Sequence, residues 1–242
     1  MQSDSLVIIP TYNEIENIEA IISAVFELNK TFHVLIVDDN SPDGTAQKVV
    51  SLKEQYPERL HLEVRKEKSG LGTAYIHGFK WALKHDYDFV FEMDADFSHN
   101  PRDLIRLYNA CVNEDASVAV GSRYVKGVNV VNWPLQRILL SYGASVYVKL
   151  ITGMKIHDPT AGFMCYRRAV IESIDLDSIK FIGYAFQIEM KFKAHLKKFK
   201  IIEVPIIFKD RTLGKSKMNG RIINEAIFGV IKLKWESLFS KA

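Results

Sequence analysis

Residues 88–101 read DFVFEMDADFSHNP, and the fold follows from how this stretch divides. Phe89, Val90, Phe91 and Met93 form a short apolar run of strand character, closed on its far side by Ser98, His99, Asn100 and Pro101. Side chains alternate along extended backbone, so a strand ending here leaves Asp94 and Asp96 on one side. Such a pair of hard oxygen ligands suits Mg2+ or Mn2+, which binds through one or two carboxylates and leaves its other positions to water and phosphate oxygens. A bare pair of aspartates is more often a plain acidic loop, and the surroundings have to decide.

Working outward, strand and helix patterns alternate. Leu60 to Val64 reads as a strand, and Ser69-Gly70-Leu71-Gly72-Thr73 as a turn into a helix through Leu83. Val34 to Val37 is a strand running into Asp38, Asp39, Asn40, Ser41, Pro42, Asp43 and Gly44, followed by a helix with Val49, Val50 and Leu52. The chain opens with Leu6 to Ile9, stopped by Pro10. Asn13 or Thr11 is the expected cap of a helix carrying Ile15, Ile18, Ile21, Ile22 and Val25 at helical spacing. The alternation predicts an α/β fold with a single mostly parallel sheet flanked by helices. Ligands of such sheets lie at the carboxyl ends of the strands, where Tyr12, Glu14, Asp39, Asp94 and Asp96 collect. Neither GxGxxG nor GxxxxGK[ST] is present, so a nucleotide would be held by a base and ribose cleft plus a metal. Asp39 is placed to accept from a ribose hydroxyl, or serves as a turn or cap residue.

The 242 residues are 48% hydrophobic, enough for one large core, and 32 basic against 29 acidic residues give a net charge of +3. That balance excludes a dedicated nucleic-acid binder. Cys111 and Cys165 match neither a zinc spacing nor a disulfide scaffold and read as structural thiols of a cytoplasmic protein. The start of the chain lacks the pattern of a signal peptide, and no apolar run approaches the roughly 18 residues needed to span a bilayer.

Taken together, IIPTYNE (8–14), VDDNSPDGT (37–45), GLGTAYIHGF (70–79), MDADFSHNP (93–101), GSRY (121–124), DPTAGF (158–163) and DRTLGKSK (210–217) resemble the polyprenyl-phosphate mannose synthases, family 2 glycosyltransferases of the A-type fold. The resemblance runs from about Leu6 to Asn219. It implies transfer of mannose from GDP-mannose to the phosphate of a dolichyl or polyprenyl lipid, with inversion at the sugar carbon. It also implies that Pro10, Tyr12, Glu14, Val37 and Asp39 hold the nucleotide, and that Asp94, Ala95 and Asp96 hold the diphosphate and metal. Arg123, Arg211 and Lys217 would meet the sugar phosphates or acceptor. Some relatives carry Gln where this chain has Ser98, a shorter ligand.

The chemistry suits these residues. Negative charge develops on the leaving diphosphate, which Mg2+, Arg and Lys can stabilise in a water-poor cleft. The nucleophile, a lipid phosphate oxygen with a second pKa of about 6, is largely ionised near neutral pH and needs no dedicated base. Glu14, Asp158 and His99 are conceivable bases, each with an easier structural reading. A different nucleotide sugar or acceptor, a phosphoacceptor receiver domain and a non-catalytic nucleotide-binding scaffold are the competing functions.

Past Tyr124, Pro134 opens a helix to about Ile151. Arg137, Ser141, Ser145 and Lys149 fall in one i, i+4 row, with Leu135, Leu139, Leu140, Tyr142, Val146, Tyr147 and Leu150 around the other side. Either the row is a solvated face, or Arg137 and Ser141 grip the lipid phosphate while the apolar side meets membrane or core. Residues 209–217 form a cation-dense loop able to close over an anion. The expected division is a catalytic domain, 1–219, and a C-terminal amphipathic helix, 220–242. Its polar stripe of Arg221, Glu225, Lys232 and Glu236 leaves a wide apolar arc for a membrane surface, a small membrane-anchoring protein or the domain itself. The expected location is the cytosolic face of a membrane.

Overall fold

The computed structural model describes residues 3–183, 185–210 and 220–239. Seven strands build the main sheet in the order β3-β2-β1-β4-β7-β5-β8: β1 (Ser5–Thr11), β2 (His33–Asp38), β3 (Leu60–Val64), β4 (Phe89–Glu92), β5 (Val118–Ser122), β7 (Met164–Arg167) and β8 (Ile201–Pro205). All pairings are parallel except those of β7, which runs antiparallel to both β4 and β5. A small parallel pair joins β6 (Val130–Val131) to β9 (Phe208–Lys209). The helices are α1 (Ile18–Phe26), α2 (Thr45–Lys53), α3 (Leu71–Lys84), α4 (Asp103–Asn113), α5 (Leu135–Thr152), α6 (Arg168–Ser173), α7 (Ala185–Leu196) and α8 (Gly220–Phe239).

Both faces of the sheet are covered, which is why β1 and β2 are almost unbroken apolar runs. Val7, Ile9, Val34 and Ile36 point to one layer, with Ile18, Ile22 and Val25 of α1 and Leu104 and Leu107 of α4. Leu6, Ile8, Leu35 and Val37 point to the other, with Tyr75 and Phe79 of α3 and Phe186 and Met190 of α7. Between α4 and β7 the thiols of Cys111 and Cys165 are both buried and unoxidised, with Sγ atoms 3.6 Å apart.

The reversal of β7 matters for function. The residues following a parallel strand reach the carboxyl edge, but on an antiparallel strand it is the residues preceding it that do so. Asp158 to Phe163, immediately before β7, is thereby delivered to the edge where β1, β2 and β4 end.

Three expectations are corrected. The first helix begins at Ile18, and neither Asn13 nor Thr11 caps it. Thr11 closes β1 and donates to Asp38 Oδ2 at 2.9 Å, while Asn13 takes a left-handed φ of 59°. The amides of Asn13, Glu14 and Ile15 are satisfied by Ser41, Thr45 and Asp43 of the neighbouring loop, so no helical turn is needed there. The strand at Phe89 ends at Glu92, so the aspartate pair lies in the loop beyond it. Alternation nevertheless persists: Ala95 is buried, whereas Asp94 and Asp96 on either side are half-buried. Third, the hydroxyl row of α5 is not a solvated face, because Ser145 is 1% exposed while Leu135 and Leu150 are 69% and 76% exposed.

Gly78 sets the approach of α3 to the sheet, since a Cβ there would lie 2.7 Å from Ile8 Cγ2. Gly78→Ala should cost about 1–3 kcal/mol in overpacking, against a helix gain of about 0.5–1 kcal/mol. Urea unfolding is expected to show a net loss, and a variant as stable as the parent would show that the layers have room to separate.

Candidate active site

The carboxyl edge of β1, β2 and β4 gathers acidic side chains, and each is held differently. Asp38 is fully buried and structural: Oδ2 accepts from Thr11 and from the Ser41 hydroxyl at 2.5 Å, and Oδ1 accepts from the Ser41 amide at 2.9 Å. Its neighbour Asp39 reaches the cleft side and is gripped at Oδ1 by Arg65 at 2.6 Å. Burial pushes the Asp39 carboxyl above its ordinary value, against the pull of Arg65. Tyr12 lies under the Lys68 ammonium, 4.2 Å from its ring centre. Glu14 Oε2 accepts from Asn17 Nδ2 at 3.3 Å. Pro10 is half-buried at the end of β1, and the Val37 side chain is wholly in the core.

The Asp94–Asp96 loop is braced from beneath. The Asp94 amide donates to His99 Nδ1 at 3.4 Å, and the His99 ring is stacked 4.8 Å from Phe163. Burial drives the His99 pKa down to about 4, so the ring is neutral at pH 7 and able to accept that bond. His99 is thus a support of the loop. Asp96 Oδ1 accepts the Ser98 amide at 3.0 Å. The Ser98 hydroxyl is buried without a partner among the described residues. No group of three or more His, Cys, Asp or Glu side chains forms a metal cage among the described residues. Two carboxylates beside one orphaned hydroxyl fit an octahedral ion that draws its remaining ligands from water and phosphate.

Facing this acidic half is a cation that is itself pinned. Arg123, just past β5, donates from Nε to Asp158 Oδ2 and from Nη2 to Asp158 Oδ1, both at 2.7 Å, and from Nη2 to Thr160 Oγ1 at 2.7 Å. Burial pushes the Asp158 carboxyl up, but Arg123 pulls it further down, to below 3.8. The turn carrying Asp158 is tied to three other elements. Glu203 of β8 accepts from the amides of His157 and Asp158 at 2.7 and 2.9 Å. Lys191 of α7 donates to Ala161 O at 2.6 Å, and Ser145 of α5 meets Thr160 Oγ1 at 3.4 Å. Tyr124, Trp133 and Phe208 wall the Arg123 guanidinium at 5.2–5.7 Å.

Arg137 and Ser141 extend this cationic half along α5. Arg137 pairs with Asp210 at 2.8 Å and stacks 4.0 Å from the Trp133 ring centre, while Tyr124 donates to Ser141 Oγ at 2.8 Å. Arg211 and Lys217, with the loop they belong to, lie outside the described residues. The edge therefore brings together Tyr12, Glu14, Asp39, Asp94 and Asp96 as expected from sequence, and Arg123 opposite them. Arg65, Glu203, Lys191 and Trp133 were missed. Of these only Arg65, a cation directly after a strand, carries a local signal.

A family model described as glycosyl transferase family 2 matches residues 6–175. The chain is 48% identical over 226 residues to the polyprenol monophosphomannose synthase of Mycolicibacterium smegmatis, covering 93% of this chain and 85% of that protein. It is 42% identical over 237 residues to the undecaprenyl-phosphate mannosyltransferase of Micrococcus luteus, covering 96% of each. Among solved structures, glucosyl-3-phosphoglycerate synthase from Mycobacterium tuberculosis in complex with Mn2+, UDP and glucosyl-3-phosphoglycerate is similar at a TM-score of 0.67 and 15% identity, over 98% of this chain and 81% of that one. The mannosyltransferase PcManGT from Pyrobaculum calidifontis, in complex with GDP-Man and Mn2+, gives 0.58 and 16%, over 99% and 75%. At these identities the likeness is one of fold.

Asp158→Asn leaves the buried Arg123 charge uncompensated and should cost about 3–5 kcal/mol in urea unfolding at pH 7. Because the folded carboxyl pKa is depressed, the contribution is complete above 3.8, the unfolded value, and fades as pH falls through the lower folded one. The gap between parent and variant should narrow accordingly in acid. A loss below 1 kcal/mol at pH 7 would mean that Thr160 and the aromatic wall suffice to hold Arg123.

Proposed function

The chain belongs to glycosyl transferase family 2, and from that premise we propose that it transfers mannose from GDP-mannose to a polyprenyl or dolichyl monophosphate, with inversion at the sugar carbon and dependence on Mg2+ or Mn2+. The observation that carries this reading is the facing of the Asp94–Asp96 loop by a fixed guanidinium at one sheet edge. Two anionic phosphates meeting in one cleft repel unless positive charge stands between them. The relatives' names, a polyprenol monophosphomannose synthase and an undecaprenyl-phosphate mannosyltransferase, support the choice of sugar and acceptor.

In this reading Pro10, Tyr12, Glu14 and Asp39 form the nucleotide side, and Val37, whose side chain is in the core, can contribute there only through its backbone. Asp94, Ala95 and Asp96 meet the diphosphate, with both carboxylates and the Ser98 hydroxyl as ligands of the metal. The bound ion would supply charge neutralisation on the leaving diphosphate. Arg123 turns its remaining donors toward the phosphates, and its clamp to Asp158 means that no reorganisation is required when charge develops. Arg137 and Ser141 receive the lipid phosphate, and Arg211 and Lys217 close over the reacting groups. An ionised phosphate oxygen attacks without a protein base, consistent with the structural employment of Asp158 and His99.

Delivery of a lipid substrate fits the outer surface. No helix among the described residues is long and apolar enough to cross a membrane. On α5, Leu135, Leu139, Leu140, Tyr142, Val146 and Leu150 are exposed, and on the adjoining α8 so are Phe228, Ile231, Trp235, Leu238 and Phe239. Among the described side chains of α8, Val230 and Leu233 are buried, packed with Val148, Phe181 and Phe192. We take residues 1–219 as the catalytic unit and 220–242 as a C-terminal amphipathic helix. Its apolar arc lies on the cytosolic face of a membrane or against a small membrane-anchoring protein.

Asp96→Ala should abolish transfer of mannose from GDP-mannose to a polyprenyl phosphate while leaving the melting temperature near that of the parent. Near-normal turnover with saturating Mg2+ would remove the metal assignment. Parallel assays with UDP-glucose and other nucleotide sugars test the donor, and preferential use of one of them would replace mannose in this reading. Replacing Leu135, Leu139 and Leu150 together by Ser should weaken cosedimentation with liposomes several-fold without loss of stability. Undiminished vesicle binding would take α5 out of the membrane contact.

A further inference from the structure

Arg65 has no part in the reaction as described, yet it is the most constrained cation at the nucleotide side of the edge. Its side chain is 13% exposed and that of its partner Asp39 8%. Surface ion pairs are worth little, but this one is sheltered and its geometry is over-determined. The guanidinium places Nε and Nη2 on the same oxygen, Asp39 Oδ1, both at 2.6 Å. Nη1 donates to Thr73 Oγ1 at 2.7 Å, and Nη2 also lies 3.4 Å from Gly70 O. Thr73 in turn donates to Gly70 O at 2.7 Å. The backbone is fixed at both ends, with the Arg65 amide on Asp38 O at 2.8 Å and the Asp39 amide on Thr11 O at 3.0 Å.

The turn that receives the fork is held by close backbone contacts of its own. Gly70 has a φ of +105°, and a Cβ there would sit 2.7 Å from Ile182 O. The Gly72 amide donates to that same carbonyl at 2.8 Å. Arg65 therefore locks the end of β2, the end of β3 and the start of α3 into one unit. Both of its contacts to Asp39 fall on Oδ1, and Oδ2 is left without a protein partner among the described residues.

We propose that Arg65 is a positioning residue for the nucleotide: by holding Asp39 through Oδ1 alone, it presents Oδ2 as a pre-oriented acceptor for a ribose hydroxyl of the nucleoside diphosphate. The proposal rests on the reading that a GDP ribose lies against Asp39. A free carboxylate rotates about its terminal torsion and must be ordered on binding; a pinned one has that cost removed beforehand. Lysine substitutes only in part, because a point charge lacks the planar fork that reaches Asp39 and Thr73 at once.

The test compares GDP with 2′-deoxy-GDP and 3′-deoxy-GDP by calorimetric titration of the full chain in the presence of Mg2+. A hydrogen bond to a charged acceptor contributes about 1.5–3 kcal/mol, so the parent should bind at least one deoxy analogue roughly 10–100-fold more weakly than GDP. Arg65→Gln should lose most of that discrimination, bringing the analogues to within about threefold of GDP, with Arg65→Lys intermediate. In turnover, the variants should raise KM for the nucleotide sugar while leaving KM for the lipid phosphate unchanged. If Arg65→Gln weakens GDP and its deoxy analogues equally and keeps the ratio, or only lowers the melting temperature, Arg65 is a structural tie and the proposal is overturned. A parent that binds GDP but does not distinguish the analogues overturns the ribose contact itself, and with it the proposal. A parent that does not bind GDP overturns the nucleotide reading on which both stand.

Discussion

A charge taken out of water has to be met by an opposite charge or by oriented dipoles, and the turn at residues 157–161 is where this protein meets that requirement. Asp158 is fully buried, its charge is met by Arg123, and the turn that carries it is tied down by residues from three further parts of the chain. Arg123 follows β5, Glu203 is on β8, Lys191 is on α7 and Ser145 is on α5. None of these contacts is optional, because a buried group left unpaired costs more than the bond it would have made contributes. The turn is consequently the place where sheet, covering helix and substrate-side helix are aligned with one another. It reaches the carboxyl edge at all because β7 is the one reversed strand.

This arrangement divides the edge by charge. Carboxylates cluster where β1, β2 and β4 end, and guanidinium groups cluster beyond β5 and at the start of α5. Each half contains a sheltered, internally neutralised pair, Asp39 with Arg65 and Asp158 with Arg123. Those pairs fix geometry rather than net charge, and they let like charges sit close without driving the strands apart. The orientation of α5 belongs to the same logic. Its hydroxyl and basic row completes the cationic half, so its leucines are the side that is turned outward.

The main fold was legible because its local signals agree. Strands of four to seven residues with continuous apolar character, helices with apolar positions three and four apart, and acidic loops after strands all point to a doubly covered parallel sheet. The pattern could not show direction. Met164 to Tyr166 reads as a strand either way, and only pairing with β4 and β5 makes it antiparallel. The first helix was misplaced because Asn13 and Thr11 are good caps in isolation, whereas Ser41, Asp43 and Thr45, nearly thirty residues on, take the donors of that segment. Likewise the period of α5 identifies its two faces without saying which one meets the domain. Asp39, Asp94 and Asp96 could be singled out because they sit in motifs; Glu203 and Lys191 could not, because their partners are backbone groups of a distant turn.

The two cysteines, alone of their kind in the chain, give this architecture a built-in clock. Both thiols are fully shielded in the layer between α4 and the reversed strand, and no other sulfhydryl competes with them. A thiol reagent therefore reacts only as fast as that layer opens. Its rate in native buffer reports the sub-global opening of the α4 side of the sheet, without a label or a substitution. The same layer supports the strand from which the Asp94 loop emerges, so a nucleotide or metal that steadies that loop can be followed as a slowing of sulfhydryl modification on the neighbouring strand.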